Sequence, residues 1–179
     1  MSLTIILLME LNNFMFERWM MIDGYINYYV SNFGRVINMT TKRILKPALR
    51  SGYLCVGLCK NGKMKTFPIH RLVALCFIVN PNDYICVDHI DTNKTNNSPT
   101  NLRWCTNQMN IMNSRKHMNT TSKFKGVSFY KRDKKWVAHI RHNQKGFHLG
   151  YFKTQEEAGR AYNEKASELF GEFAKLNVF

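Results

Sequence analysis

Period-two alternation is clearest over residues 136–141, where Trp136, Ala138 and Ile140 fall on one face of a strand and Val137, His139 and Arg141 on the other. Downstream the period changes to that of a helix. Thr154 with Glu157 forms a capping box, and Ala158, Ala161, Tyr162, Ala166, Leu169 and Phe170 make an apolar stripe that covers the Trp136 face. Nearer the N-terminus, two strand-like runs, residues 53–59 and 63–69, flank Asn61-Gly62, a strong hairpin signal because both turn residues tolerate positive φ. A second hairpin is read from the runs 28–30 and 35–37 about Ser31-Asn32-Phe33-Gly34. Pro68 precedes His70-Arg71-Leu72-Val73-Ala74-Leu75-Cys76-Phe77, whose apolarity predicts a buried helix ending before Pro81. An apolar strand over 84–87 then runs into Asp88-His89. A polar loop (92–100), a second short strand (101–105) and Thr106 follow, the last as N-cap of a helix carrying Asn110 and Asn113 one turn apart. Residues 113–122 hold few apolar side chains and read as a linker.

Composition narrows the partner. The 179 residues, 45% apolar, 13% aromatic and 21% charged, describe folded protein. A net charge of +14 and a pI near 9.8 point to a polyanion. The charge is concentrated. Residues 35–71 hold nine Lys and Arg and no acid, and residues 123–153 hold nine against Asp133 alone. A solvated face is the ordinary meaning of such runs, yet single-sign blocks on strand-rich segments are what phosphate tracking requires. Membrane surface is the competing partner, but no stretch approaches the ~20 apolar residues of a span and no strongly basic amphipathic helix is seen. Residues 3–9 are apolar, short and without a basic flank, so no signal peptide is expected, and Met15 is an alternative start. Cys55, Cys59, Cys76, Cys86 and Cys105 form no C-x-x-C pair. That argues against a zinc ribbon and for reduced thiols inside a cell, in cytoplasm or nucleus, a virus-infected host's included.

The stretch Val87-Asp88-His89-Ile90-Asp91, with Asn101-Leu102-Arg103-Trp104 twelve residues after the histidine and Asn110 twenty-one after it, resembles the HNH endonuclease family, in particular its homing-endonuclease-like phage and giant-virus branch. The resemblance makes His89 the first H and Asn101 the middle N. Asn110 stands where the third letter is usually His, and its amide oxygen favours a magnesium-like ion over zinc. Phosphodiester hydrolysis needs a water deprotonated near neutral pH, which suits imidazole, and an electrophile for the departing oxygen, which suits a divalent cation. His89 is accordingly the general base, Asp88 and Asn110 hold Mg2+ (or Mn2+), and Asn101 ties down the loop. The family implies 5′-phosphate and 3′-hydroxyl ends. Taken singly, an Asp-His pair is more often a turn or a satisfied polar contact, and an Asn a cap; the spacing of the set is what raises it above that.

Two flanking resemblances complete the picture. W-M-M-I-D-G-Y-I-N-Y-Y-V-S-N-F-G-R-V from Trp19 resembles the NUMOD4 module found beside HNH nucleases, and K-G-V, W-V-A-H-I-R, H-L-G-Y-F and E-E-A-G-R-A-Y in 123–179 resemble the AP2/ERF DNA-binding domain. The AP2/ERF likeness implies a three-stranded antiparallel sheet backed by one helix, the uncovered face entering a major groove. Its groove-facing positions fall on Lys125, Ser128, Tyr130, Arg132, His139, Arg141 and His148, several of which differ from the plant domains, so the recognised bases do not transfer. Arg141 is the best guanine reader; Ser128 and His148 read equally well as solvated strand residues. Further DNA contacts are expected from Arg35, from Lys60, Lys63 and Lys65 at the Asn61-Gly62 hairpin, and from Arg71 and Arg103. His70 reads as a helix-start residue or phosphate contact, and His117 as a weaker metal candidate.

The fold expected is α+β: an extension (1–15), a NUMOD4-like basic β-hairpin module (16–68), a ββα-metal HNH nuclease (69–113), a linker (114–122) and an AP2/ERF-like domain (123–179). The function expected is a monomeric, metal-dependent endonuclease acting on double-stranded DNA, with no protein partner and no membrane. The alternatives are a sequence-specific DNA-binding protein with an inactive nuclease site, and an RNA binder.

Overall fold

The computed structural model describes residues 16–114 and 121–179; the extension, Met15 and His117 lie outside them. The protein is α+β, with several small antiparallel sheets and few helices among the described residues. Its contacts divide it into residues up to Trp104 and residues from Cys105 on.

In the first unit, β1 (Trp19–Ile22), β2 (Tyr25–Ser31), β3 (Val36–Asn38) and β4 (Arg43–Ile44) form one antiparallel sheet in chain order. The expected turn between β2 and β3 is tied at the buried Ser31, which accepts from Gly34 N through its carbonyl (2.9 Å), and from Phe33 N (3.2 Å) and Arg35 N (3.1 Å) through its hydroxyl. A second sheet joins β5 (Ala48–Arg50), β6 (Tyr53–Lys60) and β7 (Lys63–Pro68). Asn61 and Gly62 sit at φ 51° and 73°, both left-handed as this turn requires. The helix α1 (Ile69–Phe77) begins directly after Pro68, whose ring cannot donate a backbone hydrogen bond. Its Ile69, Leu72, Val73 and Ala74 are buried at 2% exposure or less. They share one core with Ile22, Val30 and Val36 of the first sheet, Val56 and Leu58 of the second, and Val87 and Leu102. One cluster of buried side chains therefore runs from the N-terminal sheet to the last hairpin, β8 (Cys86–His89) with β9 (Leu102–Cys105).

In the second unit, α2 (Asn107–Met112) starts at Thr106, whose hydroxyl accepts from Met109 N. The strands β10 (Val127–Tyr130), β11 (Lys135–His142) and β12 (Lys145–Phe152) form a three-stranded sheet, and α3 (Gln155–Phe170) opens with the expected Thr154/Glu157 capping box. Ala138 and Ile140 point at α3, packing with Ala158, Tyr162, Ala166 and Phe170 in two clusters, and Trp136 joins from the same face. A bulge between Ala138 and His139 sets His139 opposite His148. Gly126 holds φ at 73°, and a Cβ there would run into the Tyr162 ring and lie 2.7 Å from the His139 carbonyl. Only glycine fits.

Candidate active site and nucleic-acid interface

β8 is short and almost wholly buried, with Val87 at 7%, Asp88 at 4% and His89 at 5% exposure. It therefore delivers a carboxylate and an imidazole into the protein rather than into water. The Asp88 carboxylate is met by Arg103 on the neighbouring strand, whose Nε (3.0 Å) and Nη2 (2.9 Å) both donate to Oδ2. The pair neutralises a charge that would be costly to bury alone. Expected as a DNA contact, Arg103 has its guanidinium turned onto Asp88.

The loop after His89 is fastened by amides. Asn101 accepts from Asp91 N (3.0 Å) and donates to Asp91 Oδ1 and to the Asn96 carbonyl, both at 2.9 Å. The backbone adds Ile90 N to the Asn101 carbonyl at 2.8 Å. Burial works to raise the Asp91 carboxyl, but hydrogen bonds from Asn96, from the Asn93 backbone and from Asn101, with His89 nearby, hold it below its ordinary value. His89 Nε2 lies 3.1 Å from the Asn97 amide oxygen, and both residues are buried.

A wall of rings flanks His89. His70 stands edge-on to it at 5.0 Å, Tyr53 lies 4.8 Å from His70 and 6.0 Å from His89, and the Lys94 ammonium sits 4.5 Å over the Tyr53 ring. His70 is 8% exposed and its Nδ1 has no partner. Burial, then the neighbouring His89 and Arg71, push its pKa down to about 4, so the ring is neutral at pH 7. His70 does stand at the helix start, in the second position of α1, but its ring is inside; a phosphate contact from the surface is corrected accordingly. Neither Asn97 nor the Tyr53–His70 wall was legible from sequence. Residues 92–100 are uniformly polar, and nothing local marks which Asn turns inward.

Other expected contacts divide by exposure. Lys60, Lys63 and Lys65 are exposed at the Asn61-Gly62 hairpin. Arg35 is paired with Glu17 and stands over the Trp19 ring at 5.6 Å, and Arg71 donates to the Ile85 carbonyl at 3.0 Å.

In the second unit Asn110 is exposed on α2. Lys125 donates to the carbonyls of Met112 (2.7 Å) and Ser114 (2.8 Å), satisfying groups at the C-terminal end of that helix. Burial, then Lys175, lowers its pKa to about 8. On the sheet face away from α3, His139, Arg141 and His148 are exposed, and Ser128 is half-buried. Tyr151 links His148 (4.9 Å) to Tyr130 (5.7 Å), and Arg132, bonded to Asp133, stands 5.3 Å over the Tyr130 ring. This interleaving of rings and cations is a stacking surface as well as a charged one. Tyr151, exposed on this face, is not among the positions the family pattern implied.

The first unit thus holds a buried Asp-His strand end, and the second a basic sheet face set with aromatic rings. Three family models match the chain: a NUMOD4 motif over residues 17–59, an HNH endonuclease over 69–112 and an AP2 domain over 122–172. The chain therefore carries a segment similar to HNH endonucleases between segments similar to a NUMOD4 motif and an AP2 domain, the three resemblances read from its sequence. DNA endonuclease I-HmuI of Bacillus phage SP01 is 45% identical over 97 residues, 53% of this chain and 56% of that protein. The uncharacterized HNH endonuclease L245 of Acanthamoeba polyphaga mimivirus is 44% identical over 90 residues, 50% of this chain and 27% of its own length. A solved structure of the HNH homing endonuclease I-HmuI, described by its DNA binding and cleavage, matches with a TM-score of 0.51 and 45% identity over 54% of this chain and 56% of that one. The chain thus spans about half of I-HmuI and about a quarter of L245. No described helix is long and apolar enough to cross a membrane.

Proposed function

We propose that the chain is a metal-dependent endonuclease that hydrolyses phosphodiester bonds of double-stranded DNA inside the cell, with His89 as general base. The observation that carries this is the end of β8, where a buried imidazole is held by an amide oxygen next to a buried carboxylate that is charge-compensated by Arg103. Among the described residues no three His, Cys, Asp or Glu side chains cluster to hold an ion, so an ion rests on few protein donors. Asp88 and Asn110 offer a carboxylate and an amide oxygen and no thiolate, which fits a hard cation such as Mg2+ or Mn2+, a type that keeps much of its water and shares substrate phosphate. When bound, that ion supplies Lewis-acid stabilisation of the phosphorane and the leaving oxygen.

The chain's own groups do the rest. His89 takes a proton from water as the water oxygen bonds to phosphorus, and the P–O3′ bond breaks, the leaving O3′ taking a proton from solvent, to give a 3′-hydroxyl and a 5′-phosphate. Asn101 keeps the loop closed over this centre. Lys60, Lys63 and Lys65 clamp backbone phosphates, and the exposed face of β10–β12 selects the site, Arg141 reading bases.

Incubating duplex plasmid with the protein and Mg2+ should nick or cut it, and His89→Ala should abolish this. Persistence of cutting in His89→Ala overturns the assignment. One observation favours the rival, a DNA-binding protein without cleavage: Asp88 Oδ2 is already engaged by Arg103. Wild-type protein inert with every divalent ion yet tight on DNA would establish that rival.

A further inference from the structure

We infer that the Tyr130–Tyr151 half of the open sheet face in the second unit is a binding site for unpaired nucleobases, so that the protein holds single-stranded DNA besides acting on duplex. This goes beyond the cleavage reading and does not rest on it. Strand register builds the site. Ser128, Val137 and Tyr151 stand in one row across β10, β11 and β12, with Tyr130 opposite Lys135 in the next. The bulge after Ala138 gives β12 one extra residue. Leu149 packs with both clusters beneath α3, and Gly150 takes φ 131°. His148 is thereby set opposite His139 and beside Tyr151.

Three rings and a cation form a continuous strip. His148 lies 4.9 Å from Tyr151 at 53°, Tyr151 lies 5.7 Å from Tyr130 at 54°, and the Arg132 guanidinium stands 5.3 Å over Tyr130. No ring of the three lies flat on the next, and Tyr151 keeps 49% of its surface exposed. A base pair inside a duplex has its faces covered by the pairs above and below, and shows a protein in the groove only its edges. Ring faces therefore suit bases that have left the stack, and any base serves, since each has a π-face. The two halves of the sheet face differ in this respect. Arg141 and His139 carry hydrogen-bonding groups for base edges, whereas Tyr130, Val137 and Tyr151 offer chiefly carbon surface. Phosphates find partners at the rim. The β10–β11 turn exposes Lys131, Arg132, Lys134 and Lys135 around Asp133, whose carboxylate is bonded to Arg132. Residues 123–153 as a whole hold nine cations to that one acid. The occupant that matches both rings and rim is a single strand, with stackable bases on a polyanionic backbone.

The test is fluorescence anisotropy of the full chain, without divalent ion, on labelled oligo-dT of about 12 nucleotides, on oligo-rU of the same length and on a random duplex of that length. Oligo-dT does not pair with itself, so all its bases are open. Wild type should bind it, and Tyr151→Ala should weaken that binding about tenfold or more, the loss expected for one stacked base, while duplex affinity stays within about twofold. Tyr151→Trp should retain the binding; Tyr151→Leu, apolar but not flat, should lose it. Iododeoxyuridine placed in the strand should photocrosslink to Tyr151, Tyr130 or His148. Because Tyr151 is exposed, its truncation should leave the fold intact, which circular dichroism checks. Failure to bind oligo-dT, wild-type affinity in Tyr151→Ala, equal losses on strand and duplex, equal behaviour of the Leu and Trp variants, or a crosslink confined to other residues each overturns the inference. Tighter binding of oligo-rU overturns the choice of DNA. A protein that binds oligo-dT through Tyr151 yet leaves plasmid intact with every divalent ion would refute the nuclease reading alone, so the two failures are distinguishable.

Discussion

Replacing Arg103 by Met should destabilise the first unit by about 3 kcal/mol, with no DNA present. Asp88 is 4% exposed, the Arg103 side chain is 15% exposed, and the guanidinium meets one carboxylate oxygen at 2.9 and 3.0 Å. Removing one partner of such a pair strands a buried charge, which costs ~3–5 kcal/mol. Met retains most of the stem packing, and Asp88 has other interactions, so the low end applies. With a urea slope of roughly 1.5 kcal/mol/M, 3 kcal/mol lowers the midpoint by about 2 M at unchanged slope, a shift visible by tryptophan fluorescence through Trp104. Asp88→Asn removes the charge that needs compensating. In that background Arg103→Met should cost only ~1 kcal/mol, leaving a coupling of about 2 kcal/mol. Were Arg103 purely a phosphate contact, as its place in N-L-R-W suggests, the urea midpoint would not move and only the salt dependence of binding would. A destabilisation below ~0.5 kcal/mol, or one undiminished beside Asp88→Asn, refutes the reasoning.

The remaining predictions address the ring wall, the second unit and the DNA surface. His70 is held at a pKa of about 4 against an ordinary ~6.5, so the folded state binds fewer protons between those values. The stability it confers is complete above about pH 6.5 and fades as pH falls toward 4; His70→Phe should flatten that limb of a stability–pH curve by on the order of 2 kcal/mol, and an unchanged limb contradicts the burial argument. Gly126→Ala forces a Cβ into Tyr162 at positive φ and should lower stability by ~3 kcal/mol or more, read as a melting shift of the sheet and α3; a neutral result would mean the β10 entry is free to relax. Arg141→Ala should weaken site preference more than overall affinity, whereas Lys63→Ala and Lys65→Ala should lower affinity on every sequence and reduce the salt slope by about 1 each. Equal losses on specific and random duplexes from both kinds of change would refute this division.

What could be read in advance was what local chemistry decides. Asn61-Gly62 took two left-handed conformations, Thr154 and Glu157 closed their box, and Trp136, Ala138 and Ile140 turned to the helix, because turn, cap and period-two signals act within a few residues. β4, two residues long, and β5, three residues long and fully exposed, carried no such signal. Nor could local pattern say that one core joins residues 22 to 102, since that follows from which apolar faces meet.

The charged residues show the same boundary most sharply. A basic chain invites the inference that its cations face a polyanion, yet Arg35 is paired with Glu17, Arg103 with Asp88, Arg71 with the Ile85 carbonyl and Lys125 with two carbonyls near the end of α2. Lys63, Lys65 and Arg141 remain exposed. Part of the +14 thus organises the protein and part is presented to solvent. Because each partnership is settled by tertiary contact, a count of Lys and Arg overstates the phosphates such a surface can neutralise; the measured slope of log affinity against log salt should fall short of the slope that all those cations together would give.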